Sequence, residues 1–282
     1  MNKLTTRERA QVIQCLVDGS SIRATERITG VTKKAITRLL VEIGVYRAYQ
    51  HEHLRNLPCK RIQVDEIWSF CGAKEKNTSH EKKQQGWGDV WTWDSTRRGN
   101  ETHGVWQVGD KSIRCAKQFM NDLAVRLAHR VQLTSDGNRA YLIAVDDAFG
   151  TDVDFAVLQK IYGAPPDGQR YYRPMKCIGI KIDTVMGDPD PEHISTSYVE
   201  RSNPSMRMGM RRFTRLRNGF SKKFQNHVAA IALYFMYYNY ARVHQTLRIT
   251  PAMAAGLSDH IWDIEEIVGL LERQERVQTK SA

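Results

Sequence analysis

Between residues 61 and 162 the chain switches repeatedly between two hydrophobic periods, and this alternation restricts the possible folds more than any other feature. Short segments with the period-two pattern or the β-branched and aromatic composition of strands alternate with segments of helical period. The predicted strands are 61–68, 89–93, 104–108, 131–134 and 157–162. The predicted helices begin after Ser112 and at Ala140. This order predicts a mixed α/β fold with one sheet, followed by a proline-rich loop over residues 163–196.

The chain is strongly basic, and its positive charge is concentrated in two segments. It has 282 residues with 42 Lys or Arg and 31 Asp or Glu, which gives a net charge of +11. Residues 1–60 hold eleven Lys or Arg against five Asp or Glu, and residues 201–227 hold eight with no acid. One basic cluster is often only a solvated face. Two such clusters favour binding to a polyanion, and to nucleic acid in particular.

Other features argue against several classes of protein. The longest apolar run, residues 228–238, is shorter than the roughly 20 residues that span a bilayer. No signal peptide is visible, so we expect a cytoplasmic protein. The five cysteines form no C-x-x-C pair and are odd in number, which indicates reduced thiols rather than a disulfide scaffold or a zinc ribbon.

The N-terminal residues predict a helix-turn-helix. The predicted helices are 6–16, 22–28 and 33–43, each beginning at a Ser or Thr that can cap it. Gly30 supplies the tight turn before the third helix, on which Lys33, Lys34 and Arg38 point outward, as a reader of the DNA major groove requires. A structural three-helix cap is the alternative. Residues 46–59 show no clear period and are expected to form a linker.

Three acidic residues stand where a carboxylate needs a partner or a function. Asp65 lies inside an apolar strand, Asp136 follows a strand and precedes a glycine, and Glu200 lies in the first turn of a helix. Carboxylate oxygens are the ligands that Mg²⁺ prefers, and a pair of such ions supports phosphoryl transfer. Each acid also has an ordinary explanation: a core ion pair for Asp65, a turn for Asp136 and a capping box for Glu200.

Other polar residues compete with these three acids for a functional role. Asp94, Asp146 and Asp147 are alternative acids in the same region of the chain. A zinc site at His51 and His53 is less favoured, because no matching cysteine pair accompanies them.

Several sequence blocks resemble those of DDE transposases of the insertion-sequence-one family of bacterial elements. The blocks around the three acids are 64–68 (VDEIW), 134–141 (TSDGNRAY) and 198–203 (YVERSN). Further blocks are 211–216 (RRFTRL), 220–223 (FSKK) and 238–251 (YNYARVHQTLRITP). The resemblance covers nearly the whole chain, up to about Leu270. These ordered blocks are more specific than three acids alone.

The resemblance implies a ribonuclease-H-like mixed-sheet catalytic core preceded by an all-α helix-turn-helix domain. The expected boundaries are 1–45 for the DNA-binding domain, 46–59 for the linker, 60–225 for the catalytic domain and 226–282 for a C-terminal helical region. Matched residue by residue, the catalytic acids are Asp65, Asp136 and Glu200, which would hold two Mg²⁺ ions, with Mn²⁺ as a substitute.

The activity implied by the resemblance is metal-dependent cleavage and strand transfer at the terminal inverted repeats of a bacterial insertion sequence. The expected partners are double-stranded DNA, as element ends and as target, and further copies of the chain, with no membrane and no nucleotide cofactor. The expected location is the bacterial cytoplasm, in association with the nucleoid. A non-catalytic DNA-binding regulator and a ribonuclease-H-type nuclease that cuts without joining are the rival functions.

Cations of both basic segments are the expected DNA contacts. Lys33, Lys34 and Arg38 would contact the element ends. The late segment would follow the phosphate backbone through Arg207, Arg211, Arg212, Arg215, Lys222 and Lys223. A solvated helix face is the alternative for Arg211, Arg212, Arg215 and Lys222.

Pro204 stands four residues after Glu200, in the helix expected around the third acid. Proline has no N–H to donate to the carbonyl four residues back. The helix therefore either continues with one hydrogen bond missing, or breaks so that Asn203 caps a new helix with Pro204 at its first position.

Overall fold

The computed structural model describes residues 3–97, 99, 102–163, 176–213 and 218–280. The strands are β1 (Arg61–Cys71), β2 (Gly88–Arg97), β3 (His103–Gly109), β4 (Val131–Ser135), β5 (Val153–Tyr162) and β6 (Cys177–Met186). The helices are α1 (Thr6–Val17), α2 (Ile22–Thr29), α3 (Lys33–Glu42), α4 (Val45–His53), α5 (His80–Gln84), α6 (Ile113–Ala124), α7 (Arg139–Phe149), α8 (Ser197–Gly209), α9 (Phe224–Tyr240), α10 (Pro251–Ala254) and α11 (Ile264–Lys280). None of these helices has both the length and the apolar character to cross a bilayer.

The strands form one six-stranded mixed sheet in the order β3-β2-β1-β4-β5-β6. β1 pairs antiparallel with β2 and parallel with β4, and β4 continues parallel to β5. β3 and β6 are antiparallel to their neighbours at the two edges. The prediction of a mixed α/β fold with one sheet is confirmed.

Helices α6 and α7 cover one face of the sheet near the start of β1. Ser112 caps α6 through its hydroxyl, as the sequence predicts. The apolar faces of both helices contribute fully buried side chains, including Phe119 and Tyr141, to a cluster that contains Ile62 and Val64 of β1. This packing fixes the orientation of β1, on which the candidate acid Asp65 lies.

The opposite face carries α8 and α9, and the N-terminal helices join the same core. The three predicted N-terminal helices are present within one residue of their predicted ends. Ile36 and Leu39 of α3 belong to one apolar cluster with Phe235 of α9 and Ile267 of α11. Tyr46 of α4 donates a hydrogen bond of 2.8 Å to the Ile267 carbonyl. The N-terminal helices therefore share a core with the C-terminal helices.

Two segments that we expected to be irregular are regular. The expected linker, 46–59, is largely helix α4, on which Tyr46 and Gln50 are buried against the rest of the molecule. The expected loop, 163–196, contains strand β6, held by its pairing with β5. Both expectations were wrong because tertiary contacts, rather than a local hydrophobic period, stabilise these elements.

Candidate active site

Two of the predicted acids lie side by side at neighbouring parallel strands. Val64 of β1 is in register with Ser135 of β4. Asp65 follows Val64, and Asp136 follows Ser135, so the two acids are neighbours. Glu66 joins them, and one carboxylate oxygen from each of the three residues lies within 4.8 Å of the others. We call these three residues the acidic cluster. Within the described part of the chain, no other group of acids, histidines and cysteines has this metal-binding spacing.

Burial raises the pKa of two carboxyls in the acidic cluster. The pKa of Asp65 is raised to about 7, first by burial and then by the charge of Asp136. The pKa of Asp136 is raised by burial and by the charge of Glu66. Asp65 accepts hydrogen bonds from the Glu66 N–H (2.8 Å) and the Asn203 amide (2.7 Å). Asp136 accepts one from the Asn138 N–H (3.0 Å). Carboxylates packed this closely need protons or a cation between them.

The sequence analysis did not identify Glu66 as a site residue. Three hydrogen-bond donors hold its side chain. Its carboxylate accepts hydrogen bonds from Lys111 (2.7 Å), the Asn138 amide (2.9 Å) and the Tyr141 hydroxyl (3.1 Å). Burial, together with Glu66, raises the pKa of Tyr141 well above its ordinary value, so the hydroxyl keeps its proton. The available signal was a second acid next to Asp65 within an apolar strand.

Helix α8 is fixed to the sheet beside the acidic cluster by side-chain hydrogen bonds. Gln63 of β1 accepts hydrogen bonds from two consecutive N–H groups at the start of α8 (2.7 and 3.2 Å). Ser202 donates to Asp94 of β2 at 3.2 Å, and the next residue, Asn203, donates to the acidic cluster. The helix continues through Pro204 to its end. Of the two alternatives for this proline, the unbroken helix is the one observed.

Glu200, the predicted third acid, lies outside the acidic cluster. Its carboxylate pairs with Lys160 of β5 and accepts a hydrogen bond of 2.7 Å from the Thr196 hydroxyl. The capping box considered for this helix is not formed, because α8 begins after Thr196 without a side-chain cap. The charge of Glu200 nevertheless contributes to the raised pKa of Asp136. Glu200 is therefore a neighbour of the cluster that is held by another partner.

The competing acids and histidines do not assemble a second site. Asp94 is buried and pairs with the buried His103 at 2.6 Å. Asp146 and Asp147 are exposed on α7. The two histidines of α4 belong to no cluster with metal-binding spacing among the described residues.

The two basic segments of the sequence line one groove with a volume of about 1460 Å³. One wall comes from the N-terminal helices, and the other from the end of α8 and the residues that lead into α9. The charged residues described in its lining are all cations: Arg23, Lys33, Lys34, Arg38, Arg211, Arg212, Lys222 and Lys223. We call it the basic groove. Of the other predicted DNA contacts, Arg207 lies in α8 outside this lining, and Arg215 lies outside the described residues.

Arg212 differs from the other cations of the basic groove because its guanidinium is held inward. It donates a hydrogen bond of 2.8 Å to the Ser221 hydroxyl, which also contacts the buried His227 at 2.9 Å. The second ring nitrogen of His227 contacts Ser69 of β1 at 3.0 Å. Burial lowers the pKa of Arg212 to about 10 and that of His227 to about 3. A solvated helix face is therefore the wrong description of Arg212.

Comparisons with known proteins leave the assignment of function to the site itself. No family model matches the sequence, and no curated protein matches it. Among solved structures, the chain is similar to the piggyBac transposase in a cryo-EM structure of its synaptic complex with hairpin DNA. The identity is 8% and the TM-score is 0.45, over 96% of this chain and 72% of the transposase chain.

Proposed function

We propose that this protein is a DDE-type transposase of the insertion-sequence-one family that cleaves and joins DNA at the ends of a bacterial insertion sequence. The observation that carries the proposal is the acidic cluster, in which Asp65 and Asp136 meet at adjacent parallel strands with Glu66 beside them. Both aspartates belong to the sequence blocks that resemble this family. The mixed sheet is compatible with the ribonuclease-H-like core that the resemblance implies.

The donor set fits a divalent cation. The acidic cluster offers several carboxylate oxygens within 4.8 Å, and oxygen ligands suit Mg²⁺ and Mn²⁺. Burial and the charge of Asp136 raise the pKa of Asp65, and a bound cation would offset both effects. Asp65 and Asp136 would be ligands, with Glu200 as the third carboxylate. A bound pair of ions supplies charge stabilisation at the attacking and leaving oxygens of a phosphoryl transfer.

The surrounding side chains keep the acidic cluster in place. Lys111, Asn138 and Tyr141 hold Glu66, whereas no cationic side chain pairs with Asp65 or Asp136 among the described contacts. Asn203 of α8 orients Asp65 through its amide. Rigid placement of this kind supports catalysis, because a misplacement of about 1 Å can reduce a rate on the order of a hundredfold.

The basic groove is the proposed surface for double-stranded DNA. The described lining holds eight cations and no acid, a charge balance that suits a phosphate backbone. Lys33, Lys34 and Arg38 lie on α3, the third of the N-terminal helices, and this is the position of a recognition helix in a helix-turn-helix. We propose that this part of the groove binds the DNA ends of the insertion sequence. Assembly of several copies on DNA and a location at the nucleoid complete the proposal.

The test is the variant Asp65→Asn in a cleavage and joining assay. The substrate is a DNA duplex carrying the inverted repeats that flank the coding sequence, with Mg²⁺ present. We expect loss of both cleavage and joining, because the nearly isosteric amide lacks the charge of a metal ligand. Duplex affinity, measured in EDTA, should stay within about twofold of the wild type. Full activity of Asp65→Asn would show that the acidic cluster is not the catalytic site.

Asp146→Asn is the matched control, because it removes one carboxylate from an exposed position on α7. It should cleave and join like the wild type. The same assay separates the rival functions. A regulator would bind the duplex without cutting it, and a nuclease would cut it without joining the ends to a target.

A further inference from the structure

A row of half-buried aromatic side chains continues from the acidic cluster along β1. Side chains two residues apart on a strand share a face, so Trp68 and Phe70 follow Glu66 on the same side of β1. Trp91 of β2 is in register with Trp68 on that face. Phe220 reaches the end of the row from the segment before α9, with its ring centroid 4.7 Å from that of Phe70. We call Trp68, Phe70, Trp91 and Phe220 the aromatic strip.

The rings of the aromatic strip are only partly buried, and lysines lie over three of them. The ammonium of Lys74 is 5.7 Å from the ring centroid of Trp68, and that of Lys111 is 4.5 Å from that of Trp91. Lys222 lies 3.3 Å from the ring of Phe220. A lysine over a ring contributes a modest attraction, and its flexible stem is easily displaced. Displacement of these lysines would open the ring faces to another flat group.

The strip connects the two parts of the proposed site. At one end, Lys111 contacts both the ring of Trp91 and the carboxylate of Glu66 in the acidic cluster. At the other end, Phe220 and Lys222 line the basic groove. A nucleic acid strand that leaves the groove toward the acidic cluster would pass along these rings.

We propose that the aromatic strip binds unpaired nucleotides of a DNA strand by stacking their bases on Trp68 and Phe70. This inference rests on the proposed function, since it takes DNA as the ligand of the groove. Aromatic rings beside lysines are the combination that binds single-stranded nucleic acid without sequence preference, because every base has a flat face and every nucleotide a phosphate. The bases replace the ammonium groups over the rings, and the lysines turn to the phosphates. A closed duplex keeps its bases inside and cannot use the strip.

The experiment measures the affinity of labelled oligothymidine for the full chain in EDTA by fluorescence anisotropy. Trp68→Leu should weaken binding about tenfold, because leucine fills space but offers no face for stacking. Trp68→Tyr should stay within about threefold of the wild type. Neither variant should change the affinity for an inverted-repeat duplex, or for an abasic oligomer of the same length. Phe149→Leu, a half-buried aromatic position at the far end of α7, is the control and should leave all three affinities unchanged.

Two outcomes would overturn the inference, and a third would transfer the test to Phe70. Equal affinity of wild type and Trp68→Leu for oligothymidine would show that no base stacks on the ring. If Trp68→Leu lost affinity equally for oligothymidine, duplex and abasic oligomer, the substitution would have affected the fold in general. Phe70→Leu would then be tested instead, and it should lose affinity for oligothymidine alone. A Trp68→Tyr variant as weak as Trp68→Leu would exclude stacking as the cause. Because no metal is present, these affinities are independent of cleavage, so failure of the proposed chemistry would be seen separately in the Asp65→Asn assay.

Discussion

At the scale of single residues, the protonation of Asp65 is coupled to stability. In the folded, metal-free protein its pKa is raised to about 7, against an ordinary value of 3.8. Between these values the folded state keeps a proton that the unfolded chain has released, so the free energy of unfolding falls as the pH rises. The slope is up to about 1.4 kcal/mol per pH unit. Urea unfolding midpoints in EDTA should therefore decrease from pH 5 to pH 8.

In Asp65→Asn this decrease should be smaller, because the amide does not titrate. Asp146→Asn should follow the wild type. Addition of Mg²⁺ at pH 8 should raise the midpoint of the wild type and leave that of Asp65→Asn nearly unchanged. A midpoint that rises with pH in the metal-free wild type would contradict the protonated state of Asp65.

A second prediction at this scale concerns the third metal ligand. Glu66 is already bound by three donors, whereas Glu200 has a half-exposed ion pair with Lys160, which solvent weakens. We expect Glu200→Gln to weaken Mn²⁺ binding about tenfold or more, and Lys160→Met to strengthen it, because the lysine competes with the ion. Isothermal titration with Mn²⁺ measures both. A larger loss in Glu66→Gln than in Glu200→Gln would assign the ligand role to Glu66.

The site residues differ in how far the sequence could predict them. Asp65 and Asp136 were predictable because an acid in an apolar strand, or directly after one, needs a reason to be there. Glu66 carried the same signal, but period-two alternation places it on the opposite face of β1 from Asp65, so its position beside Asp65 in the acidic cluster could not be predicted. The ion-pair partner of Glu200 could not be predicted either, because Lys160 is 40 residues away in the sequence and only the position of β5 in the sheet brings it near.

At the scale of elements, local signals located most helices and strands, and tertiary contacts decided the rest. Capping residues and an apolar stripe defined α3 and α6 closely. α4 has no side-chain cap, and it is held instead by the buried Tyr46 and Gln50. β6 alternates isoleucines with polar residues, but the isoleucines are exposed and prolines flank the segment, so its pairing with β5 could not be read from the sequence.

Pro204 gives a prediction for one element. It lies exposed inside α8, where it cannot donate a hydrogen bond to the Glu200 carbonyl. We expect Pro204→Leu to raise the free energy of unfolding by up to about 3 kcal/mol, and to raise the rate of joining at matched occupancy of the DNA ends. Met208→Leu, at an exposed position of the same helix, is the control and should change neither quantity. Unchanged stability in Pro204→Leu would mean that α8 already accommodates the proline without cost.

At the scale of the whole molecule, the distribution of charge along the sequence predicted two basic segments. It did not predict that the two segments lie close together in the fold. More than 160 residues separate Arg38 from Arg207, and the sheet lies between them in the chain. The packing of α3 against α9 brings the segments to opposite walls of the basic groove. Arg212 shows the limit of reasoning from charge alone, because a network with Ser221 and His227 holds its guanidinium inward.

A single DNA site between the two walls of the basic groove predicts a different salt dependence of DNA affinity than two separate DNA sites would. Lys34 and Lys223 are exposed lysines on opposite walls. If one duplex lies between the walls, replacing either lysine by alanine should lower the slope of log affinity against log salt by about one unit, and replacing both should lower it by about two. These slopes are to be measured on the shortest duplex that the wild type binds with one-to-one stoichiometry. Lys117→Ala, which removes a lysine paired with Asp147 outside the groove, should leave the slope unchanged. A short duplex that responds to Lys34→Ala but not to Lys223→Ala would show that the two walls do not hold the same DNA.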